Sequence, residues 1–104
     1  MAQTSSSNVQ VLRPGLHAGR SAFITGAGSG IGRGIALRLM ALGMNVFGTG
    51  RRIEALQETA RLAEGLPGRF DFEPCNVRDT EAIEALIRKT GERQGIDLLV
   101  NNAG

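Results

Sequence analysis

The sequence predicts an α/β fold, β-α-β-α-β-α-β, with four strands in one parallel sheet and helices on both of its faces, a three-layer αβα arrangement. Three observations carry that prediction. Apolar runs of strand length alternate with stretches of helical periodicity from Arg20 onward. Glycines punctuate most of the junctions between them. The connections are short, as they are in crossover units of this kind.

The first strand is SAFIT, 21–25, a short apolar run that suits burial inside a parallel sheet. The first helix follows over 31–43, with Ile31, Ile35, Leu39 and Leu42 at helical spacing and Gly43 as its stop. NVFGTG, 45–50, is the second strand. The second helix covers 53–65, places Ile53, Leu56, Ala60 and Ala63 on one face and ends at Gly65. RFDFEPC, 69–75, alternates as a third strand, with Pro74 near its end. Asp79 or Thr80 caps a third helix whose apolar face is Ile83, Leu86 and Ile87. IDLLVN, 96–101, is the fourth strand. Residues 1–19 are expected to form a flexible tail, and 20–104 to form the folded unit. No internal repeat is visible.

Charge is uneven although the net value is only +2. Residues 1–53 hold no Asp or Glu but carry Arg13, Arg20, Arg33, Arg38, Arg51 and Arg52, whereas all ten acids lie from Glu54 onward. An acid-free half attracts an anionic partner. The chain has no Lys/Arg-rich run with interleaved aromatic residues, so nucleic acid is not the expected partner and a compact phosphorylated ligand is. A lone Cys75 and a lone His17 leave too few soft ligands for zinc and no disulfide or CxxC pair, so no metal is expected. Apolar runs are only strand-length, so no membrane span is expected. The Ser-bearing, acid-poor start lacks an apolar secretory core. It fits the disordered tail of a cytoplasmic protein better than an organelle transit peptide.

The junction after the first strand reads Thr25-Gly26-Ala27-Gly28-Ser29-Gly30-Ile31-Gly32. A helix N-terminus offers unpaired N–H groups and partial positive charge, and glycines let a phosphate approach the backbone. The string fits TGxxxGxG through Gly26, Gly30 and Gly32; it does not fit GxGxxG read from Gly26 or Gly30, and no GK[ST] of a Walker loop exists. A turn that merely packs helix against strand is the bland reading. Its place after a first strand and before a first helix favours a dinucleotide site in a Rossmann-type sheet. About twenty residues on, an acid would hold a ribose 2′-hydroxyl, whereas an arginine accommodates a 2′-phosphate. Arg51 and Arg52 stand there with no carboxylate before them or between them, which favours NADP(H) over NAD(H).

With TGAGSGIG and the ending NNAG, the chain resembles the short-chain dehydrogenase/reductases over residues of about 20 to 104. The resemblance implies that Gly26, Ser29, Gly30, Ile31 and Gly32 line the pyrophosphate and that Arg51, with Arg52, holds the 2′-phosphate. It places Asn76-Val77 at the adenine, where the family usually carries Asp-Val, and Asn102, Ala103 and Gly104 beside the adenosine ribose. The strings VLRPGLHAGR and CNVRDTEAI are similar to a narrower branch that reduces 2,4-dienoyl- and trans-2-enoyl-CoA esters. The family's proton-transfer chemistry uses Ser, Tyr and Lys after NNAG; here there is no Tyr and one lysine, Lys89, on the third helix. The expectation is therefore the NADP(H)-binding half of an oxidoreductase, inactive by itself and marginally stable because the fourth strand would leave an apolar edge. By the same resemblance the full-length form would take a small-molecule substrate and form a homo-oligomer. The alternative is a non-catalytic, stand-alone NADP(H)-binding module.

Overall fold

The computed structural model describes residues 18–102. The tail segment 1–17, with His17, and the terminal Ala103 and Gly104 lie outside the described residues. The elements follow the expected order: β1 (Ser21–Thr25), α1 (Gly30–Ala41), β2 (Asn45–Gly50), α2 (Ile53–Leu62), β3 (Phe70–Pro74), α3 (Thr80–Gln94) and β4 (Leu98–Asn101). The sheet is fully parallel in the order β3-β2-β1-β4. β1 is therefore central, and all five of its residues are buried. The chain runs outward from β1 to β3 and then returns to β1's other side with β4. Such a reversal opens a crevice beyond the carboxyl ends of the strands, the usual ligand position in open α/β sheets.

Alternation along the strands divides the core in two. Ala22, Ile24 and Val46 face α1 and α2 and join Ala36, Leu39, Met40 and Leu56 in the larger cluster. Phe23 and Phe47 point the other way, stack with ring centroids 5.4 Å apart and meet Leu86 of α3. Helices on both faces are thus a consequence of period-2 side chains that are apolar at every position of β1 but the last, Thr25, and the first, Ser21.

Three expectations shift in the structure. The buried residues of α1 are Gly32, Ala36, Leu39 and Met40; of the expected run Leu39 is buried and Ile35 packs against the core, but Ile31 is 74% exposed. Close approach of the helix to the sheet selects the small residues, and the large one is turned outward. Helix α2 stops at Leu62, three residues before Gly65. The N–H of Ala63 is shared between the carbonyls of Thr59 and Ala60, and the chain then tightens until Gly65 turns with φ 88°. Strand β4 begins at Leu98, because Asp97 instead ties the strand start with its side chain: Ser21 N–H donates to Asp97 Oδ2 at 2.8 Å. The cap of α3 is Asp79, whose carboxylate accepts from the Ala82 N–H at 3.1 Å.

β4 lies at one edge of the sheet, with Leu98 and Leu99 exposed. β3 forms the other edge, where Pro74 can sit without forfeiting a ladder donor.

Candidate dinucleotide site

The turn between β1 and α1 is bent back onto the sheet by two bonds to one oxygen: the Gly26 and Ala27 N–H groups both donate to the Thr49 carbonyl, at 2.8 and 3.1 Å. Gly26 and Gly30 have φ of 70° and 59°, the left-handed region that a side chain disfavours. Gly32 is needed for a different reason. A Cβ there would drive into the Gly26 carbonyl and come within 2.7 Å of Asn102 Nδ2. Ser29 occupies the N-cap of α1 without capping the helix by its own hydroxyl, and the first turn carries no acid. The leading N–H groups of α1 are left for an external acceptor, with the positive end of the helix dipole behind them.

The tip of β4 is fastened to this turn. The Asn102 N–H donates to Thr25 Oγ1 at 2.9 Å, Thr25 Oγ1 donates to Asn101 Oδ1 at 3.0 Å, and Asn102 Nδ2 donates to the Gly26 carbonyl at 3.4 Å. Asn102 thus braces the glycine turn from the β4 side.

A cleft of about 270 Å³ opens beside the turn, lined by Gly26, Gly28, Ser29, Gly50, Arg51, Arg52, Ala55, Val77 and Arg78. The fold therefore brings together the glycine turn, the arginine pair after β2 and Val77 after β3, three stretches distant in sequence. Among the described residues the ion pairs are Arg61–Glu58, Arg69–Asp71 and Lys89–Glu73. Arg51, Arg52 and Arg78 have no carboxylate partner there. A cleft walled by backbone N–H groups on one side and unneutralised guanidinium groups on the other suits a ligand with separated anionic groups.

Other expected residues do not line the cleft. Ile31 is exposed at the start of α1, Gly32 is buried behind the turn, and Asn76 faces the α3 side. The Asn76 side-chain Oδ1 accepts from the Arg78 N–H at 3.0 Å, which shapes the loop after β3 and occupies one of that oxygen's acceptor positions. Arg78 is a cleft residue that the sequence reading missed; its signal was its place directly after Val77. Arg33 and Thr59, which join the two walls from below, are 26 residues apart and carried no signal.

Cys75, at the end of β3, has its thiol pKa pushed up by burial, with the charges of Asp79 and Glu73 adding to the effect. That environment disfavours the thiolate and gives no nucleophile. Among the described residues no group of three or more His, Cys, Asp or Glu side chains converges as a metal site, and no helix is long and apolar enough to cross a membrane.

A parallel 3-2-1-4 sheet with a glycine turn after its first strand defines an α/β protein with the Rossmann-type fold. The short chain dehydrogenase family profile matches residues 20–104, and the chain belongs to that family of oxidoreductases. It is 40% identical over 87 residues to the 3-oxoacyl-acyl-carrier-protein reductase of Thermotoga maritima, covering 83% of this chain and 35% of that protein. A citronellol catabolism dehydrogenase of Pseudomonas aeruginosa superposes with a TM-score of 0.81 at 42% identity, over 88% of this chain and 39% of that one. L-Sorbose reductase from Gluconobacter frateurii, solved with NADPH and L-sorbose, gives a TM-score of 0.75 at 34% identity over 84% and 34% of the respective chains. The chain spans about a third of the length of the curated relatives it matches.

Proposed function

We propose that this chain binds NADP(H) and supplies the cofactor-binding part of a short-chain oxidoreductase, which moves hydride between nicotinamide and a carbonyl/alcohol or enoyl-type substrate. The observation that carries the reading is the cleft itself, with the α1 N-terminus on one wall and Arg51 and Arg52 on the other. The leading N–H groups around Ser29, Gly30 and Ile31 receive the pyrophosphate, and Arg51 with Arg52 receives the 2′-phosphate. Val77 bounds the adenine, beside an Asn76 that offers a neutral acceptor in place of a carboxylate. Asn102 borders the ribose; the matching roles of Ala103 and Gly104 rest on the NNAG resemblance alone. A solved relative that carries NADPH supports the choice of cofactor. The dienoyl- and enoyl-CoA branch is a narrower proposal that rests only on its two short strings.

The residues present suit the phosphates of the cofactor, because the α1 N-terminus and the Arg51–Arg52 pair line the same cleft. The chemistry of hydride transfer belongs to the nicotinamide when it is bound. These 104 residues contain no tyrosine, so the proton donor that the family resemblance implies is not among them, and no turnover is expected of this stretch alone.

Titration of NADP⁺ and NAD⁺ against the chain and its Arg51→Ala and Arg52→Ala variants tests the reading. Losing a charge-assisted contact to phosphate costs about 1.5–3 kcal/mol, so NADP⁺ affinity should fall roughly tenfold or more while NAD⁺ affinity holds. Equal affinity for both cofactors, unchanged by either substitution, would reject NADP(H) selectivity.

A further inference from the structure

Beneath the cleft, one arginine joins its two walls. Arg33, on the second turn of α1, sends Nε to Thr59 Oγ1 at 2.9 Å and Nη2 to the carbonyls of Gly28 and Ala55, the latter at 3.0 Å. Thr59 is fully buried and passes the link on, donating to the Ala27 carbonyl at 2.9 Å. One guanidinium thus ties a carbonyl of the glycine turn to a carbonyl and a hydroxyl of α2, and that hydroxyl in turn holds a second carbonyl of the turn. The walls are also in direct contact, since a Cβ on Gly28 would lie only 2.9 Å from Ala55 Cβ. Ala55 sits three residues after Arg52, so the stitch spans the anion-binding turn and the arginine pair.

We propose that Arg33 is a positioning residue that sets the distance between the pyrophosphate donors of the glycine turn and the 2′-phosphate arginines before any ligand arrives. The inference rests on the cofactor reading above. Two features of the geometry argue for it. By drawing the Gly28 carbonyl toward itself, Arg33 turns an acceptor away from a place where an anion must bind. By bonding simultaneously to both walls, it fixes the spacing between the two anion-binding elements, so a ligand with both phosphates binds without first ordering the cleft. Arg33 itself touches no ligand atom in this scheme.

A purely structural role and a positioning role leave different signatures in three ligands. Of the two anion-binding elements, ADP-ribose engages only the glycine turn, 2′-AMP only the arginine pair, and 2′-phospho-ADP-ribose both, while all three share the adenosine contacts. Calorimetric titration of the whole chain and of Arg33→Met with all three reads the difference, with circular dichroism recorded on the same samples. The expected result is a loss of about tenfold for 2′-phospho-ADP-ribose, in line with removal of a charged hydrogen-bond donor, against less than about threefold for each single-ended ligand. Arg33→Lys should not restore binding, because an ammonium lacks the planar fork that reaches three acceptors. If Arg33→Met does not fold, Thr59→Val and Thr59→Ser answer the same question: valine should reproduce the selective loss, and serine, which keeps the hydroxyl, should restore it. Proportional weakening of all three ligands, or none, would overturn the positioning role. A wild-type chain that bound none of them would refute the cofactor reading, and the role of Arg33 with it.

Discussion

Two glycines in the same helix should respond to alanine with opposite signs. Gly32 and Gly34 both lie in the first half of α1. Alanine is favoured over glycine in a helix by about 1 kcal/mol, so that gain is common to both. The surroundings differ. A Cβ on Gly34 has nothing within 4 Å, whereas one on Gly32 would overlap the Gly26 carbonyl and sit 2.7 Å from Asn102 Nδ2. Neither neighbour can swing aside cheaply: the Gly26 N–H is bonded to Thr49, and Asn102 is held through its own N–H to Thr25. Overpacking of this kind costs about 1–3 kcal/mol, and rigid backbone puts Gly32 at the upper end. The net expectation is a loss of about 2 kcal/mol for Gly32→Ala and a gain of about 1 kcal/mol for Gly34→Ala. At about 4–8 °C per kcal/mol for a domain of this size, the two variants should melt at least about 12 °C apart. Thermal unfolding followed by circular dichroism is the assay. A Gly32→Ala variant that melted at or above wild type, or two variants shifted equally and in one direction, would refute the claim that Gly32 is required by space.

Thr25→Val should detach the tip of β4 from the glycine turn. It leaves the Asn102 N–H without its hydroxyl acceptor at a cost of about 1–3 kcal/mol, measurable by urea denaturation. Asp79→Ala should cost about 1 kcal/mol by removing the cap of α3, checked the same way. The same change should speed alkylation of Cys75. Burial is the main cause that raises this thiol's pKa and Asp79 adds to it, so removal of the carboxylate lowers the pKa and enlarges the thiolate fraction. In the unaltered chain, alkylation should be slow at neutral pH and accelerate only above the ordinary thiol range. A rate that did not depend on pH, or that fell in Asp79→Ala, would contradict the assigned environment.

Features that depend on short-range pattern are legible in the amino-acid order alone. Element order follows from apolar periodicity, and the glycine string and Arg51-Arg52 follow from local chemistry at fixed spacing, so both were readable. Period alone could not say which turn of α1 faces the sheet. Ile31 and Leu39 share a helical stripe, yet only Leu39 is buried, because contact with the sheet favours Gly32 and Ala36 at the closest approach. The end of α2 and the start of β4 were likewise settled by bonds to distant partners, Asp97 to Ser21 being the clearest. Within the site, tertiary structure decided what no spacing encodes. It placed Arg78 in the cleft alongside Arg51 and Arg52, gave the Asn76 side-chain oxygen an internal donor, and joined Arg33 to Thr59 across 26 residues. The physical reason is the same in each case. Periodicity and turn chemistry act over a few residues, whereas hydrogen bonds and packing between elements exist only once the parallel sheet has set those elements side by side.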